Sequence, residues 1–116
     1  MKINHLNLTV ANVQAVRRYL EKYFGLRSMD GTSDDASFIG MLDEEGFVLT
    51  LMQPKGNASV EYPPTFHLGF LNQGEQRVQE IYQQLIEDGF EVKPPGFYHE
   101  GDLYVNTPFG FTIQVS

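Results

Sequence analysis

Apolar and polar residues alternate from Ile3 to Val10, with Leu6, Leu8 and Val10 on one face and His5, Asn7 and Thr9 on the other. That period of two predicts a half-buried strand. The period then lengthens. Beginning at Asn12, a residue whose side chain can cap a helix, the apolar positions Val13, Val16, Leu20, Tyr23 and Phe24 follow helical spacing until Gly25, which predicts a helix over 12–24. The same order returns later: a strand over 65–71, then Val78, Ile81, Tyr82, Leu85 and Ile86 in a helix over 74–88, stopped at Gly89. The rest of each half reads as strand, at 26–29, 37–42 and 47–53 and again at 90–93, 102–106 and 111–115. Asp30-Gly31 and Glu45-Gly46 supply turns, and the pattern predicts eight strands and two helices.

The recurrence extends to the residues themselves. Asn4-His5-Leu6-Asn7-Leu8 resembles Phe66-His67-Leu68-Gly69-Phe70 at an offset of 62 (67 minus 5), and Gln14 and Val16 recur as Gln76 and Val78. Near the ends of the halves the offset is 64 (110 minus 46), where Gly46-Phe47-Val48-Leu49-Thr50-Leu51 matches Gly110-Phe111-Thr112-Ile113-Gln114-Val115. The chain therefore reads as one α+β domain of two βαβββ modules, 1–57 and 62–116, joined near Lys55-Gly56-Asn57 and Pro63-Pro64. One helix per module covers only one face of its strands.

Alternation assigns the opposite face. His5, Asn7 and Thr9 share it in the first strand, Thr50 lies opposite Leu49 and Leu51, His67 opposite Phe66 and Leu68, and Gln114 opposite Ile113 and Val115. By the repeat, His5, Thr50, His67 and Gln114 occupy equivalent positions, and Tyr104 belongs with Asp102 and Asn106 to the polar set of the preceding strand. A plain solvent face usually carries Lys and Glu, so this polar lining predicts a cavity wall.

Paired βαβββ modules, an opening strand reading Ile3-Asn4-His5-Leu6-Asn7-Leu8-Thr9-Val10 and a closing turn Thr107-Pro108-Phe109-Gly110 before the last strand resemble the vicinal oxygen chelate group, which includes glyoxalase, bleomycin resistance and extradiol dioxygenase relatives. The resemblance implies a curved, cup-like mixed sheet with its helices outside. It also implies metal positions at His5, Thr50, His67 and Gln114. Thr50 stands where glyoxalase I relatives carry glutamate, and Gln114 where most metal-dependent members carry a closing glutamate. On that basis His5, His67 and Gln114 are candidate ligands of a divalent metal, nickel, zinc, manganese or iron. A tyrosine at the position of Tyr104 is used by relatives that bind phosphonates, and Tyr98, Asn7 and Thr50 are further candidates for contacting an oxygenated or aromatic ligand. A homodimer is expected, since relatives complete their cups by pairing modules within or between chains.

Composition narrows these readings. Among 116 residues there are no cysteines, so a metal could be held only by imidazole, carboxylate or amide oxygen. A net charge of −7 offers no basic surface for nucleic acid, and no apolar stretch reaches membrane-spanning length. The start lacks the apolar run of an export signal, which leads to the expectation of a cytoplasmic protein.

Three functions stay open on the sequence: a metal-assisted lyase, isomerase or dioxygenase; a metal-free protein that sequesters a small molecule; and a structural dimer. Each histidine also has an ordinary role available, His5 and His67 as hydrogen-bonded lining and His99 as an exposed residue of the polar turn Tyr98-His99-Glu100-Gly101. If a metal binds, Gln114→Glu should tighten it by adding a charged oxygen ligand, whereas affinity for an organic ligand in a metal-free site should change little; calorimetric titration separates the two.

Overall fold

A computed structural model describes residues 1–56 and 58–116; Asn57, part of the expected linker, lies outside the described residues. Two compact units, 1–60 and 61–116, each contain one helix and one open sheet.

The first unit runs β1 (His5–Thr9), α1 (Val13–Phe24), β2 (Arg27–Ser28), β3 (Phe38–Leu42) and β4 (Val48–Met52), with sheet order β1-β4-β3-β2. Helix α1 begins where the sequence places it, because Asn12 Oδ1 accepts the Ala15 N–H at 3.0 Å and satisfies one of the unpaired donors of the first turn. Gly25 ends it in the left-handed region, φ 72°, with its N–H donating to the Leu20 carbonyl. The helix buries Val13, Val16, Tyr19, Leu20, Tyr23 and Phe24, and it packs on β2, β3 and β4. Leu8, Val10, Ile39, Met41, Leu49 and Leu51 complete this core. Leu6 shares their alternation but stays 39% exposed, since β1 is an edge strand with no neighbour beyond it.

The second unit runs β5 (His67–Phe70), α2 (Glu75–Glu87), β6 (Leu103–Asn106) and β7 (Thr112–Val115), with sheet order β5-β7-β6. Leu103, Val105, Phe111, Ile113 and Val115 are buried, as are Val78, Ile81 and Leu85 of α2. Both sheets are mixed, one parallel and one or two antiparallel pairs each. The parallel pairs reproduce the sequence repeat: His5 opposes Val48 and Asn7 opposes Thr50, as His67 opposes Thr112 and Gly69 opposes Gln114.

Two expectations are corrected. The strands form separate sheets of four and three, and the eighth strand, expected over 90–93, is not formed among the described residues. Its flanks are withdrawn from any ladder: the Phe90 N–H donates to the Leu85 carbonyl, finishing α2, and Pro94-Pro95 have no N–H to offer.

Removing the α1 cap with Asn12→Ala should cost about 1 kcal/mol, and Leu85→Ala, which empties a fully buried position, about 3 kcal/mol, both read by urea unfolding. Burial, and next the neighbouring Tyr23, hold the Tyr19 phenol well above its ordinary value. The folded state thus retains a proton that the unfolded chain loses near pH ~10. That stabilisation is complete below this pH and declines above it, so Tyr19→Phe should flatten the alkaline fall in thermal stability.

Candidate functional site

In the first unit the register brings Asn7 and Thr50 together on the face away from α1. The Thr50 hydroxyl donates to Asn7 Oδ1 at 2.6 Å, and His5 Nε2 lies 3.2 Å from the same hydroxyl oxygen. One hydroxyl carries one proton, already given to Asn7, so the His5 contact requires a donating Nε2–H. Thr50 is buried despite its polarity, and these two bonds offset the cost of that burial. On its other side Thr50 opposes Gly40 of β3. A Cβ at Gly40 would stand 2.6 Å from Met29 Sδ, so the methionine occupies the space a side chain would fill. Phe38 and Met52, directly paired and both exposed, continue this face as an apolar surface.

The second unit presents a polar face. Gln114 lies between Gly69 of β5 and Tyr104 of β6, and His67 shares the Gly69 side two residues earlier, opposite Thr112. Thr112 donates to Asn106 at 3.0 Å. The His67 ring is held by Nδ1, 2.9 Å from the Thr65 carbonyl. A carbonyl only accepts, so Nδ1 carries the proton and Nε2 keeps its lone pair. The Tyr98 and Tyr104 rings meet edge-on, with centroids 5.9 Å apart at 86°. His67, Tyr98, Tyr104, Asn106 and Thr112 line an open cavity of about 390 Å³. A second cavity of about 520 Å³ shares Tyr98, Tyr104 and Asn106 and adds Phe90 and Lys93.

Fold, register and family profile agree: the Glyoxalase/Bleomycin resistance protein/Dioxygenase superfamily matches residues 2–115. The chain belongs to that superfamily. Among solved structures it is similar to a Bacillus cereus protein described as a possible glyoxalase, with 50% identity, coverage of 99% of this chain and 97% of the other, and a TM-score of 0.85. A mutant of the fosfomycin resistance protein of Listeria monocytogenes, complexed with Mn(II) and 1S,2S-dihydroxypropylphosphonic acid, is 18% identical over 98% and 90% of the two chains, TM-score 0.76. A lactoylglutathione lyase from Agrobacterium tumefaciens is 15% identical over 98% and 91%, TM-score 0.71. No match was found among curated proteins.

Superfamily members often use divalent metals, which makes the donor chemistry of the candidate ligands worth testing. His67 suits a ligand, its second nitrogen anchored by a carbonyl as metal-binding imidazoles usually are. Gln114 suits one through its amide oxygen, because its nitrogen donates to Asp102 Oδ2 at 2.9 Å. His5 would first have to release Thr50. No group of three His, Asp or Glu able to hold a metal occurs among the described residues, so any ion here depends on the amide. Alternation had placed Asp102 on this face without assigning it a role, although its position two residues before Tyr104 puts it beside Gln114. His99 has a 73% exposed side chain, in keeping with its turn, yet its Nδ1 is 3.3 Å from Asp102 Oδ2.

The two histidines should show opposite neutral tautomers in long-range ¹H–¹⁵N spectra, Nε2–H at His5 and Nδ1–H at His67. Thr50→Val should release the His5 preference and leave that of His67 unchanged.

Proposed function

We propose that this chain binds a small oxygenated or aromatic molecule together with a divalent cation. His5, His67 and Gln114 are the cation's ligands, and Asn7, Thr50, Tyr98 and Tyr104 contact the organic molecule. The observation that carries this reading is His67, fixed through Nδ1 with Nε2 left as a lone-pair donor, on the wall of a cavity it shares with two tyrosines. A bound cation would supply Lewis-acid polarisation of adjacent ligand oxygens, the chemistry of a lyase, isomerase or dioxygenase of this superfamily. The protein's own residues do the rest. Tyr98 and Tyr104 give an aromatic wall whose hydroxyls can donate to ligand oxygens, and Asn106 is held by Thr112, leaving its amide nitrogen to donate. The reading includes a homodimer in the cytoplasm.

A specific observation supports a second reading, metal-free sequestration. His5 Nε2 is engaged by Thr50, and Gln114 contributes only a neutral oxygen, so the cavity can act through hydrogen bonds and aromatic contact alone.

Metal analysis of protein purified without chelator or affinity tag distinguishes the two. The first reading requires bound nickel, zinc, manganese or iron, with His67→Ala weakening Mn²⁺ binding by about tenfold or more in calorimetry; metal-free protein that binds none of these ions would leave the second. Sedimentation equilibrium at micromolar concentration should show a dimer, and a monomer would remove that part of the reading.

A further inference from the structure

We infer that Asp102 is a positioning residue that supplies the negative charge of the candidate cation site, acting through Gln114. This rests on the cation reading above and goes beyond its ligand set. Asp102 lies just before β6, two residues ahead of Tyr104, the register partner of Gln114. It is therefore on the same face as Gln114 and one diagonal step away, within reach of a long side chain. Its carboxylate is only 12% exposed, a placement that must be offset by partners. Gln114 Nε2 at 2.9 Å is one, and His99 Nδ1 at 3.3 Å is the other. The backbone secures the position as well, since the Asp102 N–H donates to the His99 carbonyl and its own carbonyl accepts from the Gly96 N–H.

A carboxylate accepts and cannot donate, so it fixes which end of the amide faces it. The Gln114 nitrogen is committed to Asp102, and the oxygen is presented elsewhere as a ligand atom. The contact also polarises the amide, adding electron density to that oxygen. Asp102 and Gln114 together carry one negative charge, the same as a glutamate at 114 beside a neutral residue. The equivalent pair in the first unit, Phe38 and Thr50 (each 64 positions earlier), contains neither the acid nor the amide. Acid and amide occur together in the unit that holds His67.

Four full-length proteins test the inference: wild type, Asp102→Asn, Gln114→Glu and the double variant. In metal-free protein at neutral pH, Gln114→Glu sets two carboxylates at hydrogen-bonding distance and should lower Tm by about 5 °C. Asp102→Asn keeps an acceptor for the amide and should leave Tm nearly unchanged. The double variant exchanges the two groups, so that an amide at position 102 donates to a carboxylate at position 114, and its Tm should return close to wild type. In Mn²⁺ calorimetry, Asp102→Asn should weaken binding about tenfold, and the double variant should recover it. Additive Tm changes, or a loss of affinity that the double variant fails to recover, would reduce Asp102 to a purely structural role and overturn the inference. Wild-type affinity retained in Asp102→Asn would overturn it too, with the cation reading intact. Absence of Mn²⁺, Ni²⁺ and Zn²⁺ binding by all four proteins would instead remove the cation reading and the inference with it.

Discussion

The parallel pairing of β1 with β4, and of β5 with β7, is the constraint on which the rest of each unit depends. Parallel strands cannot be joined by a tight turn; the chain must travel back along the sheet between them, and α1 and α2 lie on those return paths. A helix laid over one face commits that face to apolar residues and leaves the other to whatever the sequence places there. Because side chains alternate strictly, a slip of one residue in either pair would turn Thr50 or Gln114 into the core and Leu49 or Ile113 out of it. Burying a glutamine amide among Leu103, Val105 and Val115 would leave its donors and acceptor without partners. The register is therefore held as firmly by what the core rejects as by the ladder itself.

This is why so much was legible in the sequence. The offsets of 62 and 64 between the halves encode the register directly, because His5 faces Val48 and His67 faces Thr112, residues that the repeat had already put in correspondence. Asn12 and Gly25 marked the ends of α1 through local chemistry that tertiary packing did not override. The strand expected over 90–93 failed for a reason outside its own composition: Phe-Glu-Val-Lys alternates acceptably, but ladder formation depends on available N–H groups, and its flanks have none to spare. The hydrogen bonds within the candidate site were less accessible. Alternation tells which residues share a face, but says nothing of rotamers, so the contacts from Thr50 to Asn7 and from Gln114 to Asp102 could be read only from coordinates.

The two units also show how one backbone plan carries different chemistry. Gly40 and Tyr104 are equivalent, each opposite the central residue of the last strand of its sheet. In the first unit the missing side chain admits Met29, a flexible apolar group that conforms to varied neighbours. In the second, the tyrosine ring stands there, braced edge-on by Tyr98. Two positions earlier the contrast is between Phe38 and Asp102. The first face combines one short hydrogen-bonded chain with apolar surface, while the second gathers imidazole, amide, carboxylate and phenol. Duplication supplies the geometry, and a few substitutions on the outward faces decide which unit contributes recognition of apolar groups and which contributes polar chemistry.

That division bears on what an amide in place of a glutamate does. A glutamate as direct ligand neutralises charge at the ion itself, whereas an amide backed by a carboxylate keeps the charge one bond network further away. The attraction falls with distance and with the screening of whatever lies between, so the ion would be held more loosely and would keep more of its positive charge for a bound oxygen. A weaker hold and a stronger polarising field are two consequences of the same displacement. They also depend on the same buried carboxylate, since without Asp102 nothing dictates which end of the Gln114 amide faces outward. The orientation of that single amide thus links the strand register, which sets Gln114 beside Asp102, to the chemistry available at the surface of the second sheet.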